Sequence, residues 1–175
     1  MAFRFSLIGV LLITSCYSFK GISIAPTIET FYVDIFQNSA FNAPPDIGIQ
    51  FSESFKDIVL SSTRLNYDEF NPHIEFSGAV RSFTISSVAP EQQGDNIFGS
   101  ALNRLTIAIE VEYFNNQNED DAWNQTFSFF QDYESTLNLD DPAESDPSLS
   151  VQDVLINTIF EQINQDIFNK AFASW

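Results

Sequence analysis

Residues 103–114, NRLTIAIEVEYF, place an apolar side chain at every second position: Leu105, Ile107, Ile109, Val111 and Tyr113 on one side, Arg104, Thr106, Ala108, Glu110 and Glu112 on the other. A period of two is the mark of a strand with one face buried. Two further stretches carry the same signal. In residues 74–88, Ile74, Phe76, Gly78 and Val80 share a face; the phase then slips, so that Phe83 and Ile85 become the apolar positions. That slip predicts a β-bulge near Arg81 or Ser82. In WNQTFSFFQDYES, starting at residue 123, Trp123, Gln125, Phe127 and Phe129 alternate with Asn124, Thr126, Ser128 and Phe130. A first strand is predicted over 28–36, where Phe31, Val33 and Ile35 alternate with Thr30, Tyr32 and Asp34 after Pro26.

The period changes to that of a helix in two places. Phe51, Phe55, Ile58 and Val59 predict a helix over 47–63, after the break at Pro44 and Pro45. Leu155, Ile159, Ile163, Ile167 and Ala171 lie four apart, widened by Ile156, Phe160 and Phe168, and predict a second helix over 151–172. Ser150 and Asp153 are spaced as a capping box, and Lys170 suits the negative end of the helix dipole. The polar connectors NYDEFNP, APEQQGDNIFGS, NNQNEDDA and LNLDDPAESDPS separate the elements.

Element order is therefore β-α-β-β-β-α. This predicts an α+β fold: a four-stranded, mostly antiparallel sheet with two helices packed on one face. The opposite face would be polar, carrying Thr30, Tyr32, Ser77, Arg81, Thr106, Glu110, Thr126 and Ser128. A chain of 175 residues is long enough for one domain with a real core. No internal repeat or second domain is visible.

Charge narrows the list of partners. Seven Lys and Arg face 24 Asp and Glu, a net charge of −17 at pH 7. Such a field repels nucleic acid and gives no basic patch for an anionic membrane surface. Membrane attachment would need another device, and the N-terminus holds one. Arg4 precedes FSLIGVLLI, too short an apolar run to span a bilayer as a helix but suited to the core of a signal peptide. Ile13, Thr14 and Ser15 then lead into Cys16, the only cysteine, in a pattern resembling a bacterial lipobox. Residues 1–15 are expected to be a lipoprotein signal peptide, Cys16 the acylated first residue of the mature chain, 16–27 a tether and 28–175 the domain. The alternative is a soluble secreted protein with an incidental free thiol. No acidic run follows Cys16.

Candidate chemistry is sparse. His73 is the only histidine and sits in a loop, so triads built on Ser or Cys have no evident partners. DDPAESD at 140–146 lacks the glycine and terminal glutamate of a calcium loop and reads as a solvated connector; NEDD at 118–121 reads as a charged hairpin tip. There is no phosphate-binding loop, dinucleotide fingerprint or GxSxG motif. No catalytic residue, metal site or cofactor is expected. NQT at 124–126 matches a glycosylation acceptor, to which no role is given. Of the 19 phenylalanines most fall on predicted core faces, but Phe41, Phe114 and Phe130 do not fit the alternation.

Several segments occur in an order that resembles one family. The mature start C-YSF-G, P-IETFYVDIFQN in the first strand, TRL after the first helix, F-G-V in the second strand, NRLTIAIEVEY, FSFFQDYES and the terminal DIFNKAFASW are similar to the Bacteroidetes branch of LptE, the lipopolysaccharide-assembly lipoproteins. NRLTI and DIFNKA-A-W are the more specific segments. The resemblance implies a non-catalytic outer-membrane lipoprotein, anchored by lipid and facing the periplasm. It would sit as a plug inside the β-barrel of LptD and help deliver lipopolysaccharide to the outer leaflet. Barrel lumens are polar, which suits the polar sheet face. Better-known members contact lipopolysaccharide through basic residues; here the resemblance carries no contact over by position. Arg81 and Arg104, on the predicted polar face and close enough in pattern to lie near each other, are the candidates for lipid phosphate, with ion pairing to neighbouring carboxylates as the other reading. Two other functions stay open: a lipid-anchored periplasmic ligand-binding module, which would need a cleft lined by the unexplained phenylalanines, and a hydrolase using scattered carboxylates, for which no residue is nominated.

Overall fold

The computed structural model describes residues 24–89, 91–93, 96–98 and 101–173, with 91–93 and 96–98 described by backbone alone. The expected signal peptide, Cys16 and most of the tether lie outside the described residues. The elements are β1 (Thr30–Val33), β2 (Gln37–Asn38), α1 (Ile47–Ser62), β3 (Asn66–Tyr67), β4 (Ile74–Val88), β5 (Glu91–Gln93), β6 (Asn96–Phe98), β7 (Leu102–Asn115), β8 (Trp123–Glu134) and α2 (Val151–Phe172), with a single 3-10 turn at Glu119–Asp121.

The three long strands β4, β7 and β8 pair antiparallel in sequence order, as neighbours joined by local connections do. β7 is central. Its odd residues Leu105, Ile107, Ile109 and Val111 are fully buried, and its even residues face away from the helices. α1 presents Ile47, Phe51, Phe55 and Val59 to this inner face, and α2 presents Ile156, Ile159, Phe160, Ile163 and Ile167. Aromatic rings join the layers: Phe51 meets Phe160 edge-on at 5.1 Å between centroids, and Phe55 meets Phe76 at 4.9 Å. Such pairs add roughly 0.5–1.5 kcal/mol to the burial of their area. The α+β class, both helices and their placement on one face agree with the sequence reading.

The capping box also forms. The Asp153 N–H donates to Ser150 Oγ, and the Ser150 N–H donates to Asp153 Oδ2, each at 3.1 Å. Ser150→Ala should cost about 1 kcal/mol, read as a lower urea midpoint with an unchanged slope.

The sheet has six strands, not four, in the order β3-β1-β4-β7-β8 with β2 also on β4. Of the predicted first strand, 28–36, only β1 forms; a second short strand, β2, follows just beyond it, and both run parallel to β4. The break has a cause at Phe36. Strict alternation after Phe31 and Val33 would turn Ile35 inward and Phe36 outward; instead Ile35 is exposed and Phe36 is 2% exposed. Phe36 packs against Phe51 and occupies the space above Gly78, where a side chain would meet its ring. Its N–H is taken by Ser52 Oγ of α1 at 2.9 Å instead of by a strand. β3, in the stretch expected to be a turn, adds two residues parallel to β1. The antiparallel ladders remain by far the longer ones, so the sheet is mostly antiparallel as expected. β5 and β6, inside a stretch expected to be a loop, pair with each other in a separate two-stranded hairpin.

The predicted bulge is present. Register shifts between Val80 and Ser82, leaving Arg81 as the extra residue. Val80 and Phe83 thereby both face the core, while Ile85 is 45% exposed near the strand's end.

Candidate functional site: the outer face of the sheet

The face turned away from the helices is built by the even residues of β7 and β8 and by the residues of β4 that pair with them. Two Arg–carboxylate pairs mark it. The Arg81 guanidinium, set out by the bulge, donates to Glu110, which also accepts from Asn124 Nδ2 at 3.1 Å. Arg104 donates to both oxygens of Asp132 across the β7–β8 ladder, at 2.7 and 2.9 Å, in the fork geometry that suits a carboxylate. Its guanidinium lies 3.7 Å from the centroid of Phe130. Register places Arg104 opposite Ser86, five positions beyond Arg81. With Arg81 the extra residue of the bulge, the two arginines are separated by roughly 15 Å along the strands and do not form one cationic site. Sequence alternation showed that both face outward; the distance follows from the register, which no single strand reveals.

Between the pairs lies a band of small side chains, Ser82, Thr84, Thr106, Ala108, Thr126 and Ser128, with Ser82 and Thr84 hydroxyls 3.0 Å apart. The Arg81 hydrogen bond, joined by that from Asn124, holds the Glu110 carboxyl below its usual range; the Arg104 hydrogen bond does the same for Asp132. A lowered carboxylate pKa stabilises the fold above the unfolded value, and that contribution is lost as pH falls through the folded value. Asp132→Asn should consequently be less stable than wild type near neutral pH, by the small amount typical of exposed pairs, with the gap closing well below pH 3.8. Thermal midpoints of the two proteins across pH 2–7 check this; a gap that persists unchanged at the acid end would contradict it.

The other nominated residues have structural surroundings. His73 Nδ1 accepts the Glu29 N–H at 3.0 Å and the His73 N–H donates to Thr30 Oγ1, tying the β4 entry to β1. The acidic connector wraps the start of α2 through the Pro142–Ser150 bridge and the Val151 N–H donated to Asp141 O. Its Asp146 carboxyl is lowered by hydrogen bonds from Ser148. NEDD forms the 3-10 turn. Among the described residues no group of three His, Cys, Asp or Glu is arranged to hold a metal ion, and no helix is long and apolar enough to cross a membrane.

Phe41, Phe114 and Phe130 are exposed, as their break with the pattern indicated, and Phe70 joins them at 94%. They sit on separate elements and line no common cleft. Phe114 borders an open depression of ≈ 550 Å³ with Glu75, Glu112, Tyr113 and Trp123. Burial, aided by Asp121, pushes the Tyr113 hydroxyl up to about 12. Sequence reading missed Gly48 and Ser52, which seat α1 against the Phe36 backbone. Their four-residue spacing, two small residues on one face of a phenylalanine-rich helix, was the available signal.

A two-layer α+β protein with helices on one sheet face and an ion-paired, hydroxyl-rich surface on the other is thus defined. Its residues 28–171 match the family model of LptE, lipopolysaccharide-assembly, and the chain belongs to that family. Among solved structures, a hypothetical protein from Chlamydia trachomatis shares the fold at a TM-score of 0.52 and 8% identity, over 82% of this chain and 98% of that one. A minor lipoprotein from Acinetobacter baumannii is similar at a TM-score of 0.42 and 14% identity, over 83% of this chain and 96% of that one. No curated protein matches the chain.

Proposed function

We propose that the protein is a lipid-anchored, non-catalytic component of outer-membrane lipopolysaccharide assembly, seated as a plug in the lumen of an LptD-type β-barrel. The match of residues 28–171 to the LptE family carries this reading. The outer face supports it. A plug in a polar lumen must present groups that water or a polar wall can satisfy, and the band of hydroxyls between two Arg–carboxylate pairs does so. Anchoring would come from acylation of Cys16 after removal of residues 1–15, placing the domain on the periplasmic side of the outer membrane.

Arg81 and Arg104 are the candidate contacts for lipid phosphate. Each would have to exchange its carboxylate partner for the phosphate, so contact would be made singly and at separate places on the face. The ligand-binding alternative draws no support from the exposed phenylalanines, which share no cleft.

Isolation of the tagged protein in mild detergent is the test. A large outer-membrane β-barrel protein should come with it in near-equal amount and survive a high-salt wash. If the protein emerges alone from membranes that contain such a barrel, the plug reading is wrong.

A further inference from the structure

The two edges of the main sheet are unlike. One is made of β3 and β2, each only two residues long. The other is β8, twelve residues from Trp123 to Glu134, which pairs with β7 on one side and with no strand among the described residues on the other. Between Trp123 and Gln131 its backbone makes no hydrogen bond among the described residues beyond the β7 ladder. Alternate residues of an edge strand direct both N–H and C=O outward, so about four or five residues here offer paired, unmet backbone groups.

Proteins usually blunt such an edge with a charge, a proline, a bulge or brevity. β8 has none of these over WNQTFSFFQ: no Asp, Glu, Lys, Arg or Pro, and no register shift against β7. What bounds that uncharged stretch matters as much, in a chain of net charge −17. Glu119, Asp120 and Asp121 stand before it, and Asp132 and Glu134 close it. Asp132 is matched by Arg104; Glu119, Asp120 and Glu134 are exposed.

These charges select the occupant. A second copy pairing antiparallel about Phe127 or Ser128 would bring Glu119–Asp121 of each copy beside Glu134 of the other, like charge against like at both ends. A strand with cations at its ends meets the opposite situation. We propose that β8 accepts a strand donated by another protein: an extended segment with an uncharged run of about eight residues flanked on both sides by Lys or Arg. Main-chain hydrogen bonds would supply the binding energy, and the flanking charges would set register and exclude self-pairing. This stands apart from the barrel reading, since the donor need not be the barrel.

Site-specific photocrosslinking of the full chain in its own cells tests it, with p-benzoylphenylalanine at Gln125, at Ser128 and, as a control on the exposed side of α2, at Glu161. Gln125 and Ser128 should both crosslink to one stretch of another polypeptide, mapped by mass spectrometry, with the uncharged run and basic flanks described; Glu161 should not. The yield should fall at least fivefold in the variant Glu119→Gln, Asp120→Asn, Glu134→Gln, whose three positions are exposed and leave the core untouched. Crosslinking to a second copy, to a segment without basic flanks, equally from Glu161, or not at all would each overturn the proposal, as would a yield indifferent to the charge changes. A mapped donor that is not an outer-membrane barrel would leave the proposal intact, and the plug reading would still stand or fall on co-isolation of a barrel. A barrel that co-isolates without any crosslink from β8 would overturn the proposal and leave the plug reading standing.

Discussion

Gly48→Ala, in the first turn of α1, should lower the unfolding free energy by about 3 kcal/mol, although helix propensity alone favours alanine. Replacing glycine by alanine inside a helix normally gains up to about 1 kcal/mol. At Gly48 the added methyl would sit 2.0 Å from the Phe36 carbonyl oxygen and 3.0 Å from its carbon. Both atoms belong to backbone held from two sides, by the Ser52 hydroxyl on the Phe36 N–H and by the β2 pairing to β4 that follows. Neither can swing away as a side-chain tip would, so the helix must lift. Lifting α1 strips contacts from Phe51, whose ring touches both Phe36 and Phe160. Urea unfolding of the two proteins decides it: a midpoint equal to or above wild type would show that α1 is not seated on the Phe36 backbone.

The second large effect concerns location. On the anchoring proposed above, Cys16→Ser, exported behind a signal peptide that is cleaved without lipidation, should move the protein that is not seated in a barrel from the membrane fraction to the soluble periplasmic fraction. Each buried methylene contributes about 0.8 kcal/mol to anchoring, so losing the acyl chains removes the whole term. With a net charge of −17 the chain has no electrostatic second anchor to an anionic leaflet. Fractionation before and after a high-salt wash reads the outcome. Variant protein that stays with membranes would mean that the barrel, and not lipid, is sufficient to hold it; variant and wild type both soluble would remove the lipoprotein reading altogether.

Much of the fold could be read from single elements. β4 with its bulge, β7, β8, both helices and the Ser150–Asp153 cap each carry their own periodic signal, and each forms. What failed was information that belongs to pairs. Ile35 and Phe36 look like a continuation of alternation; only the empty space at Gly78, more than forty residues away, draws Phe36 inward and breaks the strand. Asn66 and Tyr67 become a strand because β1 offers an edge, not because two residues carry a pattern. The candidate site followed the same division. That Arg81 and Arg104 face outward was visible in the alternation. Their separation and their separate carboxylates depend on the β4–β7 and β7–β8 registers.

The parallel pairing of the first strands also sets a timetable. β1 and β2 join the main sheet only through β4, and β1 has besides that only the two-residue β3, so this early segment has almost nothing to pair with until residues 74–88 have followed it. The β4-β7-β8 meander, by contrast, closes through near neighbours in sequence, the kind of contact that forms early. This early segment should thus be among the last to acquire protection, and for its first moments outside the pore Phe31, Val33 and Phe36 would be a stretch that a holding chaperone could grip.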